Sequence, residues 1–254
     1  MHFTRFWSIV EQHHDIQNPS SPDKLDHVID LLHLQPHQRV LDIGCGCGWL
    51  INRIASRTGA HTTGIEINPW FCRVAHQHAH DLDVAHLTTI IESDAHAVTF
   101  APQTFDAVLC VGATFARGGL AQTLAFARTV AKPGAPIVIG DIFRYHETPP
   151  DIAHNLRDIP TLAELVDIIR GDDEPYELMV STHEEWDRYE TKKWQAARAW
   201  LATHTDDPEH ASFAAQVTTM RHDYLHIERN TIGWTLVMAF ATAHLPHTSS
   251  TLTT

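Results

Sequence analysis

From residue 40 to residue 48 the chain reads Val-Leu-Asp-Ile-Gly-Cys-Gly-Cys-Gly, an apolar run broken by one acid and then by glycines at 44, 46 and 48. Glycine has no Cβ, so such a loop can take positive φ and lay its backbone against a ligand. A helical pattern follows in Leu50, Ile51, Ile54 and Ala55, and the unpaired N–H groups at the start of that helix face the same space. Strand, loop and helix together would hold a nucleotide-like cofactor. A dinucleotide loop needs its third glycine three positions after the second. Here that slot is Trp49, and the third glycine is Gly48. A second acid, Glu66, follows the glycines by roughly 20 residues, the place from which a strand-tip acid accepts hydrogen bonds from ribose hydroxyls. Cys45 and Cys47 have the form of half a metal site, but no second cysteine pair at zinc spacing exists, so they read as small side chains filling the loop. His76, His78 and His80 lack a His-Glu-x-x-His context and read as a solvated helix face. No metal is expected.

Positioning these groups requires an alternating α/β chain. The pattern predicts a strand from 40, then strands over 61–67, 88–92, 105–111 and 135–140, with helices after the glycine loop and over 69–79 and 120–130. Ahead of them, Ser21-Pro22-Asp23 offers a capping serine, a proline at the first helical position and an acid in the first turn. Leu25, Val28, Ile29 and Leu32 then recur at helical spacing until Gln35-Pro36 ends the helix. The stretch 13–19 is polar and broken by proline.

Beyond strand five, Thr161 and Glu164 form a capping box for a helix stopped by Gly171. A sixth strand is expected over 176–180 and a seventh over 234–240. Residues 182–231 between them far exceed the roughly 2–5 residues of a hairpin loop. This insertion opens on a second capping box, Thr182 and Glu185, and carries three of the seven tryptophans, Trp186, Trp194 and Trp200. Asp207-Pro208 begins a further helix, along which Phe213, Val217, Met220, Tyr224 and Ile227 make an apolar stripe. These aromatics either pack helix on helix or wall a substrate pocket.

From Arg39 to Asp141 the order and spacing of the parts resemble the core of the class I S-adenosylmethionine (SAM) methyltransferases, whose motif I has this glycine spacing with an acid two residues before the first glycine. The regions 112–119, 185–189 and 229–234 look like a bacterial branch of that family with no assigned substrate. The resemblance implies an α/β Rossmann-like fold with a seven-stranded, mostly parallel sheet and an antiparallel last strand. One domain over 1–254 is expected: a helical N-terminal cover (1–37), a cofactor-binding core (38–181), a helical substrate insertion (182–231), the last strand (232–242) and a flexible tail (243–254).

The resemblance also implies SAM as cofactor and S-adenosylhomocysteine as product. The backbone of Gly44, Cys45, Gly46 and Gly48 would cradle the methionine end. Asp42 would orient that loop and reach the amino group. Glu66 would bind the ribose hydroxyls, with Ile67 and Asn68 beside the adenine. Asp94 would accept from the adenine amino group, with Ala95 adjacent, and the backbone at Val111 and Gly112 would close the methionine side. In the family the N-terminal region covers the cofactor, which places His14 and Asn18 near SAM or substrate; the plainer alternative is a surface loop.

For the acceptor, the family's base-methylating enzymes carry an Asn/Asp-Pro-Pro-aromatic motif after strand four. That place reads Val111-Gly112-Ala113-Thr114-Phe115 here, and Asn68-Pro69-Trp70 follows strand two. No Pro-Cys pair serves cytosine-type chemistry, and Asp141 alone stands where catechol-type enzymes gather acids for a metal. A small-molecule acceptor fits best. Its expected pocket is lined by His14, Phe115, Tyr145, Trp186 and Tyr189, with Asp141, Tyr145, His146 and Tyr189 as candidate acid/base groups. Other SAM chemistry on the same fold, or SAM binding without turnover, are the rival readings.

Composition agrees. A formal net charge of −13, moderated by 21 histidines, argues against nucleic acid or an anionic membrane as partner. Residues 1–7 show no signal-peptide pattern, no run reaches the roughly 18 apolar residues that span a bilayer, and four cysteines suggest no disulfide framework. A cytoplasmic setting is expected.

Overall fold

The computed structural model describes residues 1–145, 156, 158–171 and 175–241. Its centre is a seven-stranded sheet in the order β3-β2-β1-β4-β5-β7-β6. Strands β1 (Arg39–Ile43), β2 (His61–Glu66), β3 (Thr88–Glu92), β4 (Ala107–Val111) and β5 (Pro136–Arg144) are parallel. Strand β7 (Ile232–Phe240) lies antiparallel between β5 and β6 (Glu177–Val180). The predicted mostly parallel sheet with an antiparallel last strand is therefore present. β1, β4 and β7 are buried almost end to end, as strands covered on both faces must be.

Strand order reverses between β1 and β4. Chain leaving these two neighbours departs in opposite directions, which opens a crevice at their carboxyl ends. The glycine loop follows β1, and residues 112–119 follow β4. Helices α3 (Trp49–Thr58), α4 (Pro69–Asp81) and α5 (Leu120–Val130) make the crossovers.

Before the sheet come α1 (Phe3–Val10) and α2 (Pro22–Leu31). Ser21 Oγ caps α2 by accepting from Lys24 N at 3.4 Å, and Leu25, Val28 and Ile29 form its buried side. Both expected capping boxes form, on α6 (Leu162–Arg170) and α7 (His183–Thr203). α8 (His210–Asp223) continues through a π-helical turn, Tyr224–Glu228, and a short turn, Arg229–Thr231, into β7.

Three features differ from expectation. β5 runs on to Arg144, because β7 begins at Ile232 and the ladder pairs Arg144 with Ile232; Asp141 thus sits inside the strand, opposite Thr235. β4 begins at Ala107, since Phe105 makes only a single bridge, to Ala131. The apolar stripe of α8 divides. Phe213 and Val217 pack with Phe6, Ile9 and Val10 of α1 and with Trp200 of α7. Tyr224 instead joins Trp186 and Trp234 on the sheet face shared with α2. Position along the helix separates the two groups: Phe213 and Val217 lie in its first half beside α1, and Tyr224 lies at its end, where the π turn begins. His146, residue 242 of the expected last strand and the tail 243–254 lie outside the described residues.

Candidate active site

At the carboxyl ends of β1 and β4 the backbone comes unusually close to its neighbours. Gly44 has φ +76°, and a Cβ there would stand 2.2 Å from the Ala113 Cβ in the loop after β4. Gly46 has φ +54°, and its Cβ would stand 2.0 Å from Gln17 Oε1. The backbone conformation disfavours a side chain at both positions; at Gly44 contact excludes one as well, while at Gly46 the end of the Gln17 side chain would have to move. Gly44 N and Cys45 N donate to Ile65 O at 2.9 and 3.0 Å, which fastens the loop to the end of β2.

This loop borders a cavity of about 450 Å³. Of the expected cofactor residues, Asp42, Gly44, Cys45, Gly46 and Glu66 line this cavity, as do Ile67, Asn68, Asp94, Ala95, Val111 and Gly112. Gly48 does not. It is the N-cap of α3, and a Cβ there would strike Ala75 of α4 at 2.7 Å, so the third glycine serves helix packing.

Two buried acids dominate the electrostatics. Burial, reinforced by the charge of Glu66, pushes Asp42 up to about 7, and Asp42 Oδ1 has no hydrogen-bond partner. Burial also raises Glu66, against the hydrogen bonds it accepts from Asn68 N at 2.8 Å and Gly46 N at 3.1 Å. Asp94 Oδ1 accepts from His96 N at 2.8 Å. Asn68 does double duty: Oδ1 caps α4 through Trp70 N at 3.0 Å, and Nδ2 donates to Thr4 O and Ser8 Oγ, both at 3.0 Å, tying α1 to the site.

The opposite wall comes from the N-terminal segment and from one residue of α7. Phe3, Trp7, Glu11, Asp15 and residues 16–18 line it with Tyr189. Gln17 Oε1 accepts from Cys47 N at 2.5 Å. Tyr189 Oη donates to Glu11 Oε1 at 2.7 Å and lies 3.3 Å from Gln17 O. Burial, together with the Glu11 carboxyl, holds the Tyr189 phenol well above its ordinary value. Asn18 lines the cavity beside Gly112, and its Oδ1 is buried without a partner.

Several expected pocket residues are elsewhere. Trp186 does not line the cavity; it is buried in the seam with Tyr224, ring centroids 6.3 Å apart, because its position on α7 faces the sheet side. Tyr145 lies outside it as well, against Phe143 at 5.2 Å and His183 at 6.4 Å. Asp141 is held within β5, accepting from Thr114 Oγ1 at 2.6 Å and Ile142 N at 2.8 Å, so it braces the loop after β4. His14 stands behind Tyr189: its Nε2 is 2.9 Å from Tyr189 O and its ring lies edge-on to the phenol at 4.8 Å. Phe115, 67% exposed, does line the cavity.

Trp7, Glu11 and Gln17 escaped the sequence reading. Phe3, Phe6, Trp7 and Val10 do recur at helical spacing, which was the available signal for α1. Among the described residues no three His, Cys, Asp or Glu converge on a metal-binding group. Burial pushes the Cys47 thiol up to about 12 and holds that of Cys45 well above its ordinary value, which disfavours the thiolate at both.

The residues present fit SAM. A cationic ligand meets the unpartnered oxygen of Asp42 and the remaining lone pairs of Glu66, and the glycine backbone admits it closely. A family model described as a methyltransferase domain matches residues 40–134. The chain is similar to YjhP of Escherichia coli (strain K12), 32% identical over 243 residues that cover 92% of this chain and 97% of that protein. It is also similar to the structure of an SAM-dependent methyltransferase from Geobacter sulfurreducens in complex with S-adenosylhomocysteine, with a TM-score of 0.83 and 32% identity, covering 92% of this chain and 96% of that one. A shorter likeness, 34% over 108 residues, covers 42% of this chain and 28% of Sterol methyltransferase-like 1 of Botryococcus braunii. The chain belongs to the class I SAM-dependent methyltransferases, with SAM as its cofactor.

Proposed function

We propose that the enzyme transfers the methyl group of SAM, by in-line displacement, to a small molecule seated beneath the N-terminal cover. The observation that carries this reading is the continuity of one cavity from the glycine loop to Trp7, Glu11 and Tyr189. When bound, SAM supplies an electrophilic methyl group on a sulfonium. The protein's part is to bind, align and exclude water. Gly44, Cys45 and Gly46 take the methionine end, with Asp42 near its amino group and the backbone of Val111 and Gly112 closing that side. Glu66 has lone pairs left for the ribose hydroxyls. Ile67, Asn68, Asp94 and Ala95 form the adenine end.

The chain would act as one unit over 1–254, with 1–37 as cover, 38–181 as cofactor core and 182–231 as the insertion. The role of the insertion shifts from the expected lid. Trp200 and Phe213 of the insertion hold α1 in place, Trp186 and Tyr224 pack against the sheet, and α1 meets the acceptor. The kinship with a sterol methyltransferase-like protein and the apolar side chains of the wall suit a small acceptor with an apolar body. Among the described residues no helix is long and apolar enough to cross a membrane, and all four cysteines are free; both fit a cytoplasmic setting.

Incubation with labelled SAM and a metabolite extract tests the reading. A methylated small molecule is the expected outcome. Modified SAM without methyl transfer, or tight SAM binding without product, would replace it.

A further inference from the structure

More acids line the cavity than the cofactor uses. Asp42, Glu66 and Asp94 fall to SAM in the reading above; Glu11 and Asp15 do not. Both belong to the N-terminal segment, beside Trp7 and Tyr189. No lysine or arginine is among the described lining residues. A buried cation, Lys193, stands behind the wall, paired with Glu190 at 2.7 Å and lying 4.1 Å over the Tyr189 ring. Glu11 is 2% exposed. Its Oε1 accepts from Tyr189, but its Oε2 has no hydrogen-bond partner, since His14 Nδ1 is 3.0 Å away without hydrogen-bond alignment. A buried acceptor with no donor is costly, and the cost falls if the ligand brings a donor.

We propose that the acceptor is an amine with an apolar body, received against Trp7, Glu11, Asp15 and Tyr189. The inference rests on the reading that this cavity holds SAM and a small-molecule acceptor. An ammonium group meets two carboxylates and an aromatic ring that attracts cations. A carboxylate or phosphate of the same size meets repulsion and no cationic partner.

The proton also has a destination. The ammonium gives one proton to the Glu11 carboxylate, directly or through the Tyr189 hydroxyl. The freed lone pair forms the N–C bond to the methyl group as the C–S bond breaks, and the bonding pair stays on sulfur as a thioether. The product is the N-methylated ammonium, and the protonated Glu11 returns its proton to solvent. Burial pushes Glu11 up to about 7, against Lys193 and the Tyr189 hydrogen bond, so it exchanges a proton near neutrality. Glu190 and Lys192 are the other charges facing it. Burial lowers His14 to about 4 and keeps it neutral there.

The full-length protein, saturated with S-adenosylhomocysteine, is titrated with phenethylammonium, 3-phenylpropanoate and 2-phenylethanol while tryptophan fluorescence is followed. The ammonium should bind at least about tenfold more tightly than the other two. Glu11→Gln and Asp15→Asn should each weaken it about fivefold or more, with the S-adenosylhomocysteine affinity held within about twofold. Asp15 is exposed, so its replacement keeps the test valid if Glu11→Gln fails to fold. Equal or tighter binding of the carboxylate or the alcohol overturns the inference. In a second arm, labelled SAM is supplied with panels of amines, phenols, carboxylic acids and sterols. Methylated amines support the inference. Product confined to another class overturns it but leaves the small-molecule reading standing, whereas SAM binding with no product in any panel overturns both.

Discussion

One side of the cavity is a row of strand ends, and the other is a fold-back of segments far apart in the chain. The glycine loop, Glu66, Asp94 and residues 111–113 each follow or end a parallel strand, so the direction of β1, β2, β3 and β4 fixes where they point. The cover joins Glu11 to Tyr189 across 178 positions and Gln17 to Cys47 across 30. It is held by side chains: the Tyr189–Glu11 bond, the Asn68–Thr4 bond, the Phe6–Phe213 and Trp200–Phe213 ring contacts, and the surface pairing of Arg5 with Asp207 and Glu209. The difference separates two tasks. Cofactor geometry depends on backbone that cannot change without disturbing the sheet. In the proposed reading, acceptor geometry depends on side chains over a rigid scaffold, which can vary while the fold persists.

The largest effect should come from a residue that serves neither wall. Trp186→Ala should lower stability by about 3–5 kcal/mol, the usual cost of deleting a large buried aromatic. Denaturant titration reads this directly. Calorimetry on the folded fraction should give a S-adenosylhomocysteine affinity within about twofold of the parent. A stable variant with altered ligand affinity would return Trp186 to the cavity wall.

Two glycines sharpen the comparison, since each touches a different wall. Ala at Gly44 meets the Ala113 Cβ, which the post-β4 loop cannot withdraw without moving backbone. Ala at Gly46 meets the end of the Gln17 side chain, which can swing away. Gly44→Ala should cost about 2–4 kcal/mol of stability, from backbone strain plus overpacking. Gly46→Ala should cost about half of that, with its main effect in the cover: losing the Gln17–Cys47 bond should raise hydrogen exchange over 13–19. Equal effects at both positions would show that the cover is as rigid as the sheet.

These contrasts also explain what was legible in the sequence. That Asp42, Gly44, Gly46, Glu66 and Asp94 border one cavity was readable because they sit at or just beyond strand ends whose spacing is local. Gly48 packs on Ala75 and does not line the cavity, a placement that spacing cannot distinguish from that of a glycine facing a ligand. Asp141 was misplaced because the length of β5 depends on β7, about ninety residues further on. Trp186 and Tyr189 are three residues apart on one helix, yet one is in a seam and the other at the cavity. Their assignment depends on the path of α1, and no local pattern encodes that contact.

Glu66 and Asp42 test the cofactor wall alone. Glu66→Ala should weaken SAM binding by about 1.5–3 kcal/mol, through loss of charge-assisted hydrogen bonds to the ribose. Equal affinity for variant and parent would remove the ribose assignment. Asp42 lies near 7 in the free protein, and a cationic ligand favours its ionised form. SAM affinity should therefore rise, about tenfold at most, from pH 6 to pH 8, with proton release seen as a buffer-dependent heat. A pH-independent affinity would show that Asp42 does not feel the ligand's charge.

The last contrast isolates the cover, where two opposed limbs leave a small net effect in the parent. Glu11 is raised from its ordinary 4.5 to about 7 in the folded protein, so between these values the native state binds the extra proton. Its contribution is fully present below 4.5 and is lost as pH rises through 7, on the order of 3 kcal/mol in all. His14 opposes it. Lowered from 6.5 to about 4, it contributes above 6.5 and loses that contribution as pH falls toward 4. The parent should therefore vary little between these limits, while Glu11→Gln should expose the His14 limb as a loss of stability on acidification. Tyr189→Phe removes the hydrogen bond that favours ionised Glu11, so the carboxyl should rise further and its limb should move to higher pH, by about half a unit to one unit. Thermal unfolding of the three proteins from pH 5 to pH 9 reads both shifts. If Tyr189→Phe leaves the limb in place, the phenol does not hold the Glu11 charge, and the cover is joined by packing alone.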